Sequence, residues 1–312
     1  MSFDSNSIPA KLIQLALGAT PVPDFFAPYT YSEVEPLARH HRLLSLAAQC
    51  FPENPQAIAD QRQIALRDLQ IKALTSSLKS QLTQAGIPHW EFKGAALGER
   101  LGEKVSRESR DIDLLIKPTN FQQAFSLLSN DRQILSRPNP KNWLSPKKDA
   151  QLLNLNPSVR IELHWSNLPS YYPQRHDERI WSFVEQHSEI PAELEFDLLA
   201  THGVLHGYFR LRWLRDIHLL IAKFPDLQNS PNLTIAQQLS LELLTLLENN
   251  DASPPSQLVL QWAEHIRSGK MSTLSKVVHQ KTRWRLCNTW KSKTQMTASS
   301  VVGWLFQHNQ HA

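Results

Sequence analysis

Two aspartates, Asp111 and Asp113, lie two positions apart in the run Asp-Ile-Asp-Leu-Leu-Ile. In a β-strand, residues at this spacing point to the same face, while the apolar residues between them point into a core. Two carboxylates aimed together repel each other, and a divalent cation is the usual partner of such an oxygen-rich site. The spacing therefore predicts a metal site on a strand from Asp111 to Ile116.

A third carboxylate, Glu162, follows the same pattern in a second predicted strand, Val159 to Trp165. It alternates with apolar residues, so it can join the two aspartates if both strands lie in one sheet. Three carboxylates around one or two magnesium ions make a phosphoryl-transfer site, where metal lowers the charge cost at the attacked α-phosphorus of a triphosphate. His164 is interpreted as a strand residue beside this site rather than as a nucleophile, and a catalytic role for it stays open.

A turn upstream of the aspartates is suited to the phosphates of the same substrate. Gly94 lets the backbone approach a phosphate closely, and the N–H groups that open the next predicted helix favour an anion. Lys93 adds a point charge to this turn. Arg107 and Arg110, just before the aspartates, are further candidates for phosphate contacts.

Three runs together carry a resemblance to a known family: Phe92–Leu97, Arg107–Leu115 and Ile161–Trp165. They resemble the polymerase-β-like nucleotidyltransferase superfamily. More narrowly, they are similar to bacterial nucleotidyltransferase-family proteins often associated with peptide natural-product clusters. Many members of the superfamily have Gly-Ser where this chain has Lys93-Gly94.

The resemblance implies an α+β fold in which a small mixed sheet is flanked by N-terminal and C-terminal helical segments. It implies that Asp111 and Asp113 bind the metal, Mg²⁺ or Mn²⁺, and that Glu162 is the third catalytic carboxylate and metal ligand. Lys93, Gly94 and the two arginines would bind the nucleotide. The expected enzyme is a transferase that moves a nucleoside monophosphate from ATP or another nucleoside triphosphate to a hydroxyl of a small molecule or peptide.

A downstream segment, His202–His218, is similar to the helical segment that follows the catalytic core in the same branch. We expect His206, Arg210 and Arg212 to help form the wall of the nucleotide or acceptor pocket. The spacing of His202 and His206 would also suit two zinc ligands. Packing or polar lining of a pocket is favoured, because no nearby acid or cysteine completes a ligand set.

The patterns along the chain predict three continuous segments: an N-terminal helical segment (1–87), an α/β core (88–190) and a C-terminal helical domain (191–312). Within them we expect a strand at His89–Phe92 and a hairpin of strands at Gln151–Leu155 and Val159–Trp165. The predicted longer helices are Asn54–Ala85, Leu194–Phe224, Ile235–Leu247 and Gln257–Ile266.

The composition excludes several other classes of protein. Two cysteines, Cys50 and Cys287, cannot form a disulfide framework or a cysteine-rich zinc site. No apolar run has the roughly 18 residues that a membrane span needs, and the first residues lack the pattern of a secretory signal. We therefore expect a cytoplasmic protein that has no membrane partner.

The net charge of +4 comes from one end of the chain. Residues 270–312 contain seven lysines and arginines and no acid, which leaves a net charge of −3 on the remainder. Tryptophans interleave with these cations, a pattern that can bind single-stranded nucleic acid. An amphipathic helix whose tryptophans pack on the body is favoured instead, because the rest of the chain is net acidic.

Two other functions remain open for the same site. A kinase-like enzyme would transfer the γ-phosphoryl group instead of a nucleoside monophosphate. A non-catalytic nucleotide-binding protein would bind the triphosphate without turnover, although the presence of all three carboxylates favours catalysis.

Overall fold

A computed structural model describes residues 6–137, 149–166, 177–187 and 189–248. They form two compact units that interleave along the chain. The first unit contains the described residues up to Gln70, the segment Ala95–Ser109 and the described residues from Pro191 onward; the second contains Ile71–Gly94 and the described part of Arg110–Ile190. The predicted division into three continuous segments stays a prediction.

The described residues contain ten α-helices and five β-strands. The helices are α1 (Ile8–Ala16), α2 (Tyr31–His40), α3 (Leu44–Ala47), α4 (Pro55–Gln84), α5 (Gly94–Arg100), α6 (Phe121–Ser129), α7 (Asp177–His187), α8 (Ala192–Leu205), α9 (Leu211–Lys223) and α10 (Ile235–Glu248). The strands are β1 (His89–Glu91), β2 (Asp111–Ile116), β3 (Gln133–Ser136), β4 (Asp149–Leu155) and β5 (Ser158–His164). Short 3₁₀ helices span Ala48–Cys50, Pro118–Asn120 and Pro225–Asn229.

The long helix α4 confirms the helix predicted from residue 54 to residue 85. Asn54 caps its start, because the side-chain oxygen accepts hydrogen bonds from the N–H groups of Gln56 and Ala57 at 3.0 and 3.1 Å. After the helix ends, Gly86 takes a φ of +66°, a left-handed conformation that glycine adopts without steric cost. This turn leads the chain into β1.

The five strands form one mixed sheet in the order β1-β2-β5-β4-β3. β2 and β5 pair in parallel, and the other neighbours are antiparallel. The predicted strands and the predicted hairpin of β4 and β5 are therefore confirmed. The edge strand β3 was not predicted, because four residues are too few to show a clear alternation.

One face of this sheet carries the hydrophobic core of the second unit. Alternate residues of β2 and β5 pack there against α6 and the later turns of α4. Each fully buried leucine, isoleucine or phenylalanine contributes about 1.5–3 kcal/mol. The core residues include Ile112, Leu114, Ile161 and Leu163 from the strands, Ile71, Leu78 and Leu82 from α4, and Phe121, Phe125 and Leu128 from α6.

In the first unit, the prediction of a single helix from residue 194 to residue 224 is wrong. The structure has two helices, α8 and α9, separated by a turn in which Gly207 and Tyr208 take φ values of +62° and +47°. The Tyr208 N–H donates to the Gly203 carbonyl at 3.0 Å, and its fully buried ring places the hydroxyl against Ser240 of α10. Burial of this aromatic ring stabilises a backbone conformation that a non-glycine residue rarely adopts.

The predicted α+β class, a small mixed sheet with helical segments before and after it, is confirmed. Among the described helices, none has the length and apolarity that crossing a bilayer requires. The predicted helix at residues 257–266 and the basic tail at residues 270–312 lie outside the described residues.

Candidate active site

The polar face of the sheet brings two predicted carboxylates side by side. Asp113 of β2 is the register partner of Glu162 of β5, and parallel pairing places both side chains on the same face. The flanking residues Ile112 and Leu114 are buried on the opposite face. The period-two alternation in the sequence therefore orients the acids, and the pairing of β2 with β5 brings them together.

The cluster at this position has an imidazole as its third member. Among the described residues, one group of potential metal ligands lies with its atoms within 4.8 Å of one another, and it consists of Asp113, Glu162 and His164. His164 Nε2 lies 3.1 Å from Asp113 Oδ1 and 3.6 Å from Glu162 Oε2. The sequence predicts that His164 lies beside the site, on the face that it shares with Glu162, but does not identify it as a metal ligand.

Asp111 belongs to the same face of β2, two residues before Asp113. It is half-buried, and its register partner on β5 is Arg160. The closely spaced group of ligand atoms does not include it. Its assignment as a metal ligand and catalytic residue stays a prediction.

Lys93 lies against the same cluster. Its ammonium is 3.7 Å from Asp113 Oδ1 and 4.7 Å from the centre of the Phe92 ring. Gly94 follows with a φ of +65°, so glycine at this position permits the sharp turn from β1 into α5. The predicted strand-to-helix turn is therefore present, and its lysine faces the carboxylates.

The charges in this cluster compensate one another. Burial by itself would raise the pKa of Asp113, but the Lys93 ammonium and the His164 imidazole hold that pKa below its ordinary range. Burial would likewise lower the pKa of His164, but its contacts with the carboxylates of Asp113 and Glu162 raise it to about 9. Without a bound cation these contacts favour the protonated imidazole, and a cation that binds Nε2 would take the place of that proton.

Two of the predicted nucleotide-binding arginines lie in the first unit and hold acidic partners there. Arg107 forms a two-pronged ion pair with Asp216, and one of its contacts measures 2.8 Å. Arg212 pairs with Glu103, and the two side chains are 3% and 1% exposed. Both guanidinium groups are engaged within the first unit, and the roles of these two arginines in nucleotide binding stay predictions.

Three further predicted residues have different environments. In the first unit, the His206 ring lies 5.1 Å from the Trp213 ring, and the Arg210 guanidinium lies 5.8 Å from the same ring. His202 and His206 pack with their ring centres 4.5 Å apart, which agrees with the favoured packing interpretation of this pair. Arg110 is exposed immediately before β2. The nucleotide-binding roles of these residues also stay predictions.

A carboxylate pair on adjacent parallel strands, preceded by a strand, a lysine-glycine turn and a helix, defines an enzyme of the nucleotidyltransferase class. The chain belongs to a family described as uncharacterised nucleotidyltransferases, whose model matches residues 31–247. The resemblance seen in the sequence is therefore confirmed, and the protein is a transferase. No curated protein and no solved structure matches the chain significantly.

Proposed function

We propose that this nucleotidyltransferase moves a nucleoside monophosphate from ATP to a hydroxyl group of a small molecule or peptide. A bond forms between the acceptor oxygen and the α-phosphorus, the bond from that phosphorus to the bridging oxygen breaks, and pyrophosphate leaves. The observation that carries this proposal is the pairing of Asp113 with Glu162 on adjacent parallel strands. Membership of the family supports the reaction class.

The donor set of the polar face suits a divalent cation. Asp113 is buried and within reach of Glu162, so two carboxylates converge on one point from neighbouring strands. Asp111, Asp113 and Glu162 are the residues that would hold Mg²⁺ or Mn²⁺. When bound, such an ion stabilises the charge on the phosphates and favours ionisation of the acceptor hydroxyl.

In this proposal Glu162 receives the proton of the acceptor hydroxyl. Its side chain is 19% exposed, so the carboxylate is open to a substrate, and Gln151 donates a hydrogen bond to its Oε1 at 3.3 Å. This hydrogen bond restricts the orientation of the carboxylate. Glu162 therefore acts as a base in the proposed reaction as well as a metal ligand.

Lys93 and Gly94 bind the triphosphate in this proposal. The Lys93 side chain is 29% exposed and its ammonium rests on Asp113, so it can exchange this carboxylate for a phosphate oxygen. Gly94 has no side chain to keep a phosphate from the backbone of the turn. Exposed Arg110 adds positive charge close to β2, whereas Arg107 and Arg212 would have to share their guanidinium groups with Asp216 and Glu103.

The experiment incubates the protein with ATP labelled at the α- or the γ-phosphate, Mg²⁺ or Mn²⁺, and a panel of hydroxyl acceptors. We expect the α-label to enter a new product together with pyrophosphate release, and Asp113→Ala to abolish both. Asp131→Asn is the matched control, because Asp131 is an aspartate of the same unit whose side chain is 70% exposed and lies outside the ligand group.

Three outcomes would contradict the proposal. Transfer of the γ-label alone identifies the kinase-like reaction, and triphosphate binding without turnover identifies a nucleotide-binding protein. Activity that is unaffected by Asp113→Ala removes the carboxylate pair from the mechanism.

The sequence also supports proposals about the cellular compartment of the protein and about a nucleic-acid partner. A reducing cytoplasm is the proposed location, and Cys50 is a buried free thiol that suits it. The basic tail would be the contact for any nucleic acid. A salt-dependent shift of RNA that disappears when residues after 269 are deleted would support such a contact, and no shift at low salt would argue against it.

A further inference from the structure

His164 is aimed at the point where the two carboxylates of the polar face converge. Its Nε2 lies 3.1 Å from Asp113 Oδ1 and 3.6 Å from Glu162 Oε2. Neighbouring ligand atoms around one cation lie about 3.0–3.5 Å apart, because each is roughly 2.0–2.2 Å from the ion at tetrahedral or octahedral angles. The two distances from the imidazole are therefore close to those of a shared coordination sphere.

The imidazole ring is held in this orientation by its surroundings. The side chain is only 15% exposed, and Phe92 packs edge-on against the ring, with centres 5.2 Å apart and planes at 88°. His164 and Glu162 also project from one strand at a two-residue spacing, so the backbone of β5 fixes their separation. A ligand on a central strand needs little rearrangement to bind an ion.

We propose that His164 Nε2 is a direct metal ligand together with Asp113 and Glu162, so that the site prefers a transition-metal ion such as Mn²⁺ to Mg²⁺. This inference rests on the proposed function, because it assigns the metal of the same site. Imidazole is a good ligand for first-row transition metals, whereas Mg²⁺ takes oxygen ligands and retains several waters. Carboxylate oxygens suit both Mg²⁺ and Mn²⁺, so a purely carboxylate site would make this distinction less strongly.

The test uses Mn²⁺ alone, without nucleotide or acceptor, on the full chain. Electron spin-echo measurements detect the coupling of a bound Mn²⁺ to a ligating nitrogen, and calorimetry gives the affinities for Mn²⁺ and Mg²⁺. We expect nitrogen coupling in the wild-type protein and its loss in His164→Gln. We also expect His164→Gln to weaken Mn²⁺ binding by about tenfold or more, since even outer-shell substitutions cost 10–100-fold.

Two further variants make the measurement specific. His164→Asp supplies an all-oxygen ligand set, so it should retain metal, lose the nitrogen coupling and reduce the preference for Mn²⁺ over Mg²⁺ by about tenfold or more. It also serves if His164→Gln fails to fold. His187→Gln is the control, because His187 is exposed on α7, and it should leave both the coupling and the affinity unchanged.

The inference is overturned if wild-type protein binds Mn²⁺ without nitrogen coupling, if the coupling persists in His164→Asp, or if no Mn²⁺ binds. These results are independent of the transfer assay. A protein that transfers the α-label but shows no nitrogen coupling retains the proposed function and refutes the role of His164. A protein that shows the nitrogen coupling but transfers no label supports His164 as a metal ligand and refutes the proposed function.

Discussion

Replacing Asp113 with asparagine removes one negative charge from the centre of the polar cluster while keeping the size of the side chain and one acceptor oxygen. Asp113 Oδ1 lies 3.1 Å from His164 Nε2 and 3.7 Å from Lys93 Nζ, and Asp113 is one of the three residues whose ligand atoms converge. A neutral amide oxygen is a weaker ligand for a divalent cation than a carboxylate. We expect transfer of the α-label to fall by about 10²–10³-fold or more, the range for removing one preorganised electrostatic group.

The same substitution should have only a small effect on folding. The amide oxygen can still accept a hydrogen bond from His164, and the Lys93 side chain is 29% exposed, so water screens part of the attraction that its ammonium loses. The expected loss of unfolding free energy is about 1 kcal/mol. A loss of this size lowers the melting temperature by roughly 2–4 °C in a domain of 150–250 residues.

The two effects are separable because one is a change of orders of magnitude in rate and the other a few degrees in stability. The assay is label transfer at 25 °C with saturating Mg²⁺ or Mn²⁺, run beside a thermal melt of the same preparation. Asp131→Asn, at an exposed aspartate of the same unit, controls for the loss of one negative charge. Transfer by Asp113→Asn within about threefold of wild type, against the 10²–10³-fold expected for such a group, would refute the reasoning.

Three further predictions concern the first unit. Burial raises the pKa of the Cys50 thiol to about 12. At pH 8 a thiol reagent should therefore label the peptide that contains Cys50 slowly in the native protein and rapidly in urea, as peptide mass mapping would show. Rapid labelling of the native protein would contradict the burial of this thiol. A Cβ at Gly203 would collide with the buried Tyr208 ring, so Gly203→Ala should cost about 1–3 kcal/mol in urea unfolding, and an unchanged midpoint would disprove this packing. A lysine at position 107 cannot form the two-pronged ion pair that Arg107 makes with Asp216, so Arg107→Lys should lower the free energy of unfolding by about 1–3 kcal/mol. Weaker ATP binding at unchanged stability would instead favour a role of Arg107 in nucleotide binding.

Much of the fold could be predicted because its signals are local. The alternation of polar and apolar residues in β2 and the capped start of α4 each depend on neighbouring residues. Both elements form where the sequence indicates. The break between α8 and α9 could not be predicted in this way. Tyr208 occupies a left-handed conformation because its ring is buried beside Gly203 and its hydroxyl is hydrogen-bonded to Ser240. The helical spacing of apolar residues in the sequence does not reveal these partners.

In the candidate site, too, the features that depend on neighbouring residues could be predicted, and those that depend on distant contacts could not. The carboxylates of Asp113 and Glu162 could be identified from their alternation with buried residues, and the parallel pairing of their strands confirms that they lie side by side. Arg107 looked equally suited to a phosphate because it precedes the aspartates. Its ion pair with Asp216 joins residues 109 positions apart, and sequence spacing carries no information about a contact at that distance.

The sequence by itself determined which residues of each strand share a face, since side chains alternate with a strict period of two. It thereby determined that Asp111 and Asp113 point the same way and that Glu162 and His164 do so on another strand. Only the tertiary structure decided which members of the two strands meet. The register of β2 against β5 places the His164 imidazole between Asp113 and Glu162, because strand pairing is set by long-range packing rather than by neighbouring residues.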